Sequence, residues 1–129
     1  SETYRQSSVA SAAAAQIDPR NELLSHYPRR RLTAEQIRDQ ALAFSGLLSA
    51  KQGGPSVFPP QPDGLWRAAF NDRERNWKTS EGEDRYRRAL YTFWRRTMPY
   101  PSLTTFDAPS RETATFRRVP TNTPLQAFV

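Results

Sequence analysis

Arginine side chains with aromatic neighbours are the residues of this sequence whose chemistry is best suited to binding a ligand. Residues 85–118 contain eight arginines and two acids, so this stretch carries +6, the formal net charge of the whole chain. Arginine makes planar, two-pronged contacts with phosphates and carboxylates, and aromatic rings can stack on bases. The candidate binding residues, including one nearby carboxylate, are Arg87, Arg88, Trp94, Arg95, Arg96, Asp107, Arg117 and Arg118.

A structural role competes with binding for these arginines. They could pair with Asp39, Asp107 and Glu112 and stack on aromatic rings inside the protein. We favour this structural interpretation over the binding of an acidic polysaccharide or of nucleic acid. A steep salt dependence of binding would be the signature of either polyanion.

Three carboxylates could in principle do chemistry. Asp107, in the sequence TFDAP, could act as a general base or a metal ligand, although an aspartate before a proline turn more often caps the turn or pairs with arginine. Glu35 and Asp39 are one helical turn apart and could present two carboxylates together. Arg38 beside them favours an ion-paired face, so we interpret all three acids as structural.

Other catalytic and metal-binding groups are scarce. The chain has no cysteine, which excludes disulfides, thiolate nucleophiles and covalent haem attachment within these residues. His26 is the only histidine and has no partner at metal-ligand spacing. Gly53-Gly54 lacks the lysine of a phosphate-binding loop. We therefore predict no catalytic residues, no metal site and no cofactor in this chain, and leave open whether a longer parent is an enzyme.

The clearest helix signal in the sequence covers Glu35 and Asp39. Thr33 and Gln36 form a capping box, which predicts a helix over residues 33–49. Apolar residues follow at helical spacing, namely Ile37, Ala41, Phe44 and Leu48. The sequence Gly53-Gly54-Pro55 prevents any continuation.

The remaining elements are predicted to be short. Ala12–Ala15 is too short to nucleate a helix alone, whereas Asp18-Pro19 predicts a helical turn through Leu24. For residues 89–94 we favour a strand over a helix because aromatics are enriched there. Four further predictions are a proline-rich connector over 53–64, an exposed polar loop over 71–84, a short turn over 103–107 and a helix starting at the capping box Thr123–Gln126.

The tryptophans divide into two groups. Trp66 and Trp94 are predicted to lie in the core rather than to form a platform for stacking sugars. Trp77 stands in polar surroundings and is predicted to be exposed.

Composition limits the fold class. The chain has 129 residues, 36% hydrophobic residues and 11 prolines, with a mean hydropathy of −0.81. Aromatic residues at 12% argue against disorder. We predict a mainly α (α+β) fold, helical, loop-rich and Pro-rich, with at most one or two short strands. We expect one partial domain over 1–129, truncated at both ends, and no membrane span, because no apolar run reaches about 18 residues.

Long stretches of the chain resemble a known family. The C-terminal part, YRRALYTFWRRTMPYPSLTTFDAPSRETATFRRVPTNTPLQAFV, resembles the PSD-type C-terminal domain of unknown function in planctomycete cytochrome c proteins. Upstream segments fit in the same order, namely TYRQSS, DPRNELL, RRRLTAEQIRDQALAFSGLL and GGPSVFPPQPDGLW. Two positions depart from the family pattern: Ala114 stands where a cysteine is common, and Pro120 where a basic residue is common.

This resemblance implies an exported, multidomain parent protein. Its haem c would belong to another domain near the N-terminus, and the other domains of the parent chain would be partners of this one. We predict a non-catalytic structural or interaction module of a cytochrome-c-linked protein located in the periplasm or at the cell surface. The alternatives are a hydrolytic or carbohydrate-processing domain completed by residues elsewhere, and polyanion binding through residues 85–118. For the polyanion, the exported architecture that the resemblance implies favours an acidic polysaccharide over nucleic acid.

Overall fold

The computed structural model describes residues 1–70 and 76–128, and the chain divides into two compact units. The first unit is Ser1–Arg31 and the second is Leu32–Val129. Two short helices lie in the first unit, α1 (Glu2–Arg5) and α2 (Ala12–Ile17). All of the candidate binding residues lie in the second unit.

The helix in the alanine-rich segment corrects the sequence prediction. Helix α2 forms because the Ser11 hydroxyl accepts a hydrogen bond from the Ala14 N–H over 3.1 Å, and the helix then continues to Ile17. Side-chain capping therefore adds to the high helix propensity of alanine.

The helical turn predicted after Asp18 is absent. The Asp18 carboxylate does accept hydrogen bonds from backbone N–H groups, at Glu22 over 2.8 Å and at Leu23 over 2.9 Å. However, Asn21 and Leu24 have φ angles of 54° and 55°. Two left-handed residues so close together are incompatible with a right-handed helix, so Asp18 stabilises a pair of turns instead.

Helix α3 (Ala34–Phe44) starts as the sequence predicts. The Gln36 N–H donates to the Thr33 hydroxyl over 3.4 Å, and the Thr33 N–H donates to the Gln36 side chain over 3.0 Å. The helix ends five residues before the predicted boundary. Gly46 has a φ of 71°, and the chain turns back so that the Leu47 and Leu48 N–H groups both donate to Leu42 O.

The apolar stripe of α3 is largely exposed. Ala34 is the only buried residue of the helix. Within the stripe, Ile37 is half-buried and Ala41 is exposed. Phe44 is 83% exposed. An amphipathic helix usually packs such a stripe against a core, whereas α3 packs through Ala34 and through the side that faces α5 and residues 89–91.

Short helices and loops make up the rest of the second unit as far as the structure describes it, which confirms the predicted helical, loop-rich fold class. These elements are α4 (Leu65–Phe70), α5 (Pro101–Thr105) and three 3-10 helices, Gly82–Tyr86, Ala89–Tyr91 and Pro124–Ala127. The part of the chain that the structure describes contains no strand, only isolated bridges between Ser49 and Arg87 and between Val57 and Thr92. The strand favoured over 89–94 is therefore wrong, because a 3-10 turn precedes the one bridging residue.

A small core holds these elements together. It consists of Ala34, Ala89, Tyr100 and Leu103, with partly buried residues packed around it. Trp77 is one of these and does not project into solvent as predicted. Its ring stacks on Tyr100 with centroids 5.8 Å apart, and its Nε1–H donates to Pro59 O over 2.7 Å. The predicted polar loop that contains it lies partly outside the described residues, at positions 71–75.

The predicted core position of Trp66 is confirmed, since the residue is 8% exposed, while Trp94 is partly buried against the core. No helix among residues 1–70 and 76–128 is both long enough and apolar enough to cross a membrane.

Candidate functional site

Arg87, the first of the candidate binding residues, is buried inside the protein. It is 1% exposed, and its guanidinium donates hydrogen bonds to three backbone carbonyls, Lys51 O over 3.5 Å, Pro55 O over 3.2 Å and Gly53 O. The same guanidinium lies 3.8 Å from the centroid of the Tyr91 ring. Arg87 therefore fixes the loop over residues 51–55 and has no surface to offer a ligand.

Arg88 points to the surface and pairs with Asp39 of α3. Its Nε donates to Asp39 Oδ2 over 3.0 Å, and the other carboxylate oxygen accepts from the Ala89 N–H over 2.6 Å. Ala89 is a buried core residue, so this backbone N–H needs the carboxylate as its acceptor. Asp39 thus joins α3 to residues 88–89, in line with the structural interpretation of this acid.

Glu35 and Arg118 form a two-pronged ion pair. Arg118 Nη1 lies 2.6 Å from Glu35 Oε2, and Nη2 lies 2.9 Å from Oε1. The hydrogen bonds from Arg118 hold the pKa of the Glu35 carboxyl below its ordinary value of 4.5, against the opposing effect of burial. The contact with Glu35 likewise raises the pKa of Arg118. This pair attaches residue 118 to the first turn of α3.

We expect the Glu35 pair to give the protein a pH-dependent part of its stability. Because the pKa of Glu35 is lowered on folding, its contribution is complete above pH 4.5 and is lost as the pH falls through the folded-state pKa. Glu35→Gln should lower the free energy of unfolding at pH 7 by about 1 kcal/mol or less, since the pair is partly exposed. Urea unfolding of both proteins from pH 7 to pH 3 should show this difference shrinking.

The exposed acid Glu112 provides a matched control for this prediction. Glu112→Gln removes the same charge without breaking the pair, so it should leave the stability at pH 7 nearly unchanged. If the difference between Glu35→Gln and the unmodified protein were constant down to pH 3, the lowered pKa would be refuted.

Asp107 holds the C-terminal segment rather than facing an open cleft. Its two carboxylate oxygens accept from the Thr121 N–H and the Thr121 hydroxyl, each over 2.7 Å. Its φ of 63° places it at the end of α5. Nearby, the buried Gln126 side chain donates to Thr105 O over 2.7 Å. The Thr123 N–H in turn donates to Gln126 Oε1 over 3.1 Å, as the predicted capping box requires.

Two further arginines lie against indole rings. The Arg95 guanidinium carbon is 5.2 Å from the Trp66 ring, and that of Arg111 is 4.9 Å from the Trp94 ring. The Trp94 Nε1–H donates to Ser110 O over 3.2 Å. The candidate residues Trp94 and Arg95 thus contribute to packing between neighbouring segments. The predicted ligand-binding role of the set remains a prediction.

Arg96 and Arg117 differ from the other candidates. Both are exposed, and neither side chain has an ion pair or hydrogen bond with any residue that the structure describes. Among the residues that the structure describes, these two exposed guanidiniums have no structural contact of the kind that Arg87, Arg88 and Arg118 make.

The cavity beside the tryptophans is polar and open. It has a volume of about 490 Å³ and is lined by residues 61–67, 76 and 77. The rings of Trp66 and Trp77 lie 5.5 Å apart and pack against each other. They also pack against Phe93, with ring centroids 6.5 Å away from each. The rings thus pack against one another inside the protein, which favours a role in the core over the stacking of sugars.

The acids do not form a metal site within the described ranges. No group of three or more histidine, aspartate or glutamate side chains there could hold a metal ion. Glu35, Asp39 and Asp107 each accept hydrogen bonds from a different partner. His26 lies in the first unit, where its backbone and the Asn21 side chain exchange hydrogen bonds.

Sequence reasoning missed the partners of these charged groups. Thr121 and Gln126 hold the C-terminal segment, and the carbonyls of residues 51–55 surround Arg87. The capping box was the only sequence signal that singled out Gln126. A backbone carbonyl has no residue-specific signal, so the partners of Arg87 could not be read from the sequence.

The sequence belongs to a family of known sequences. The sequence matches the family described as "PSD1: Protein of unknown function (DUF1553)" over residues 1–129, in agreement with the resemblance to a PSD-type domain. No curated protein and no solved structure has significant similarity to the chain. Because the match covers its whole length, the chain belongs to the PSD1 family of proteins of unknown function.

Proposed function

We propose that this chain is a non-catalytic structural or interaction module of an exported, cytochrome-c-linked multidomain protein. The non-catalytic part of the proposal rests on the hydrogen bonds that the carboxylates make within the protein. Glu35, Asp39 and Asp107 are the acids best placed for chemistry, and each carries hydrogen bonds that hold separate segments of the second unit together.

Catalysis would require some of these groups to be free to exchange protons or bind a metal. A general base must reach the proton that it abstracts. Here the Asp107 carboxylate is occupied by Thr121 and the Glu35 carboxylate by Arg118 on both oxygens. Freeing either acid would detach the C-terminal segment at one of its attachment points, so a structural role is the simpler assignment.

The link to a cytochrome and the export of the parent protein rest on the family resemblance. Sequencing the coding DNA on both sides of this segment tests them directly. We expect an upstream CxxCH haem-attachment motif and a signal peptide in the same reading frame. A reading frame with neither would overturn the exported-cytochrome part of the proposal. Turnover by the parent protein that disappears on Asp107→Asn but survives Thr121→Ala, which weakens the same attachment, would overturn the non-catalytic part.

Polyanion binding is a second candidate function, and the exposure of Arg96 and Arg117 favours it. Their guanidiniums add to a stretch that carries all of the net positive charge. An acidic polysaccharide is the preferred ligand, because an exported protein meets such polymers. Both arginines would then act by displacing counterions from the polyanion.

The salt dependence of binding to heparin, used as a model polyanion, tests this candidate. We expect Arg96→Gln and Arg117→Gln each to reduce the slope of log affinity against log salt by about one. Arg20→Gln in the first unit removes the same charge from an exposed side chain and should leave the slope unchanged. A flat salt response of the unmodified chain, or equal effects of all three substitutions, would rule the candidate out.

A further inference from the structure

An apolar groove lies between α3 and α5. Its volume is about 180 Å³, and it is lined by Ala34, Ile37, Arg38, Ala41, Leu42, Ser102, Leu103 and Phe106. Apolar cavities of about 150 Å³ are large enough for one benzene ring. The groove is thus suited to one aromatic side chain.

A fully exposed phenylalanine lies on a neighbouring segment. Residues 110–119, which we call the strap, are exposed throughout. Phe116 near its middle is 103% exposed. A ring with no neighbours gains free energy from any apolar surface that it can reach.

Both attachment points of the strap adjoin residues that line the groove. On the α3 side, Arg118 pairs with Glu35, whose neighbour Ala34 lines the groove. On the α5 side, Asp107 binds Thr121, and Phe106 immediately before Asp107 lines the groove. Phe116 is two residues from Arg118, a backbone reach of about 7 Å. The chain is therefore anchored beside the groove just after Phe116, at Arg118, and just beyond the strap, at Thr121.

We propose that the strap closes by placing the Phe116 ring in the groove between α3 and α5. Closure keeps the Glu35–Arg118 and Asp107–Thr121 contacts and moves only exposed strap residues on the N-terminal side of Arg118. The closed strap covers the apolar groove with a side chain of the same protein. This inference goes beyond the proposed function and does not depend on it.

Disulfide formation between engineered cysteines tests closure, and the absence of native cysteine makes the readout clean. Ala41 and Ala43 are both exposed residues of α3, but they point to nearly opposite sides of the helix because successive side chains are about 100° apart. Only Ala41 lines the groove. We expect Thr115→Cys with Ala41→Cys, in a chain that keeps the Phe116 ring, to form an intramolecular disulfide at least about tenfold faster than Thr115→Cys with Ala43→Cys.

Methyl NMR of the 129-residue chain provides a test that does not need cysteines. Replacing Phe116 by leucine should shift the Ala41 and Leu103 methyl resonances, because it removes the ring current of the closed strap. Phe128→Leu removes another exposed ring from the same unit and should not shift them. Equal rates of disulfide formation for the two cysteine pairs would overturn the proposal. So would Ala41 and Leu103 methyl resonances that do not shift on Phe116→Leu.

Discussion

Replacing Arg87 by methionine is expected to lower the free energy of unfolding by about 2–3 kcal/mol, because the loop over residues 51–55 loses the buried guanidinium that donates to three of its carbonyls. Lys51 O, Gly53 O and Pro55 O all lose their partner, and the stacking on Tyr91 is lost as well. Arg87→Lys should recover only part of this loss. A single ammonium group cannot reproduce the planar fork that contacts several carbonyls at once. Urea denaturation monitored by circular dichroism measures both variants.

Arg96 supplies the matched control for this prediction. It belongs to the same arginine-rich stretch but is exposed, so Arg96→Met should change stability by less than about 0.5 kcal/mol. Equal effects at positions 87 and 96 would contradict the buried role of Arg87. A fully stable Arg87→Lys protein would show that charge alone is sufficient there.

Replacing Trp77 by alanine is expected to destabilise the protein by about 2–4 kcal/mol, somewhat less than for a fully buried aromatic side chain, because this ring is partly buried. The indole contacts Phe58, Trp66 and Tyr100, with ring centroids 5.1, 5.5 and 5.8 Å away. Its removal would leave a cavity at the centre of the aromatic cluster. Thermal unfolding followed by circular dichroism would detect this as a lower midpoint.

Trp77→Phe separates the two contributions of this side chain. It keeps an aromatic ring but loses the hydrogen bond to Pro59 O, so much of the loss should be recovered while about 1 kcal/mol remains. Leu90→Ala removes an exposed apolar side chain of the same unit and should have little effect. A stable Trp77→Ala protein would restore the original prediction that this tryptophan is exposed.

Local signals in the sequence were enough to predict where two elements begin. The capping pairs Thr33–Gln36 and Thr123–Gln126 act over three residues, and both are present in the structure. The end of α3 was harder to predict, because the turn at Gly46 competes with helix-forming residues on both sides. Similarly, capping by Ser11 extends a helix that its four alanines alone would not support.

Long-range contacts account for the other differences. Trp77 has polar neighbours in sequence, and its partners Phe58 and Tyr100 are 19 and 23 positions away along the chain. Arg87 and Arg88 are identical and adjacent, yet one is buried against carbonyls and the other pairs with Asp39. Residue type and spacing cannot distinguish such a pair, because burial is decided by the packing of the whole unit.

The polar attachment of the C-terminal segment has a consequence for local unfolding. Residues 110–125 are all exposed, so little apolar surface opposes their release once the bonds at Asp107, Glu35 and Gln126 open. Segments of this kind exchange amide hydrogens through sub-global opening rather than through unfolding of the whole protein. The Thr121 amide should therefore exchange with deuterium long before that of Ala89, and limited proteolysis should cleave this segment first while the core around Tyr100 and Leu103 stays folded.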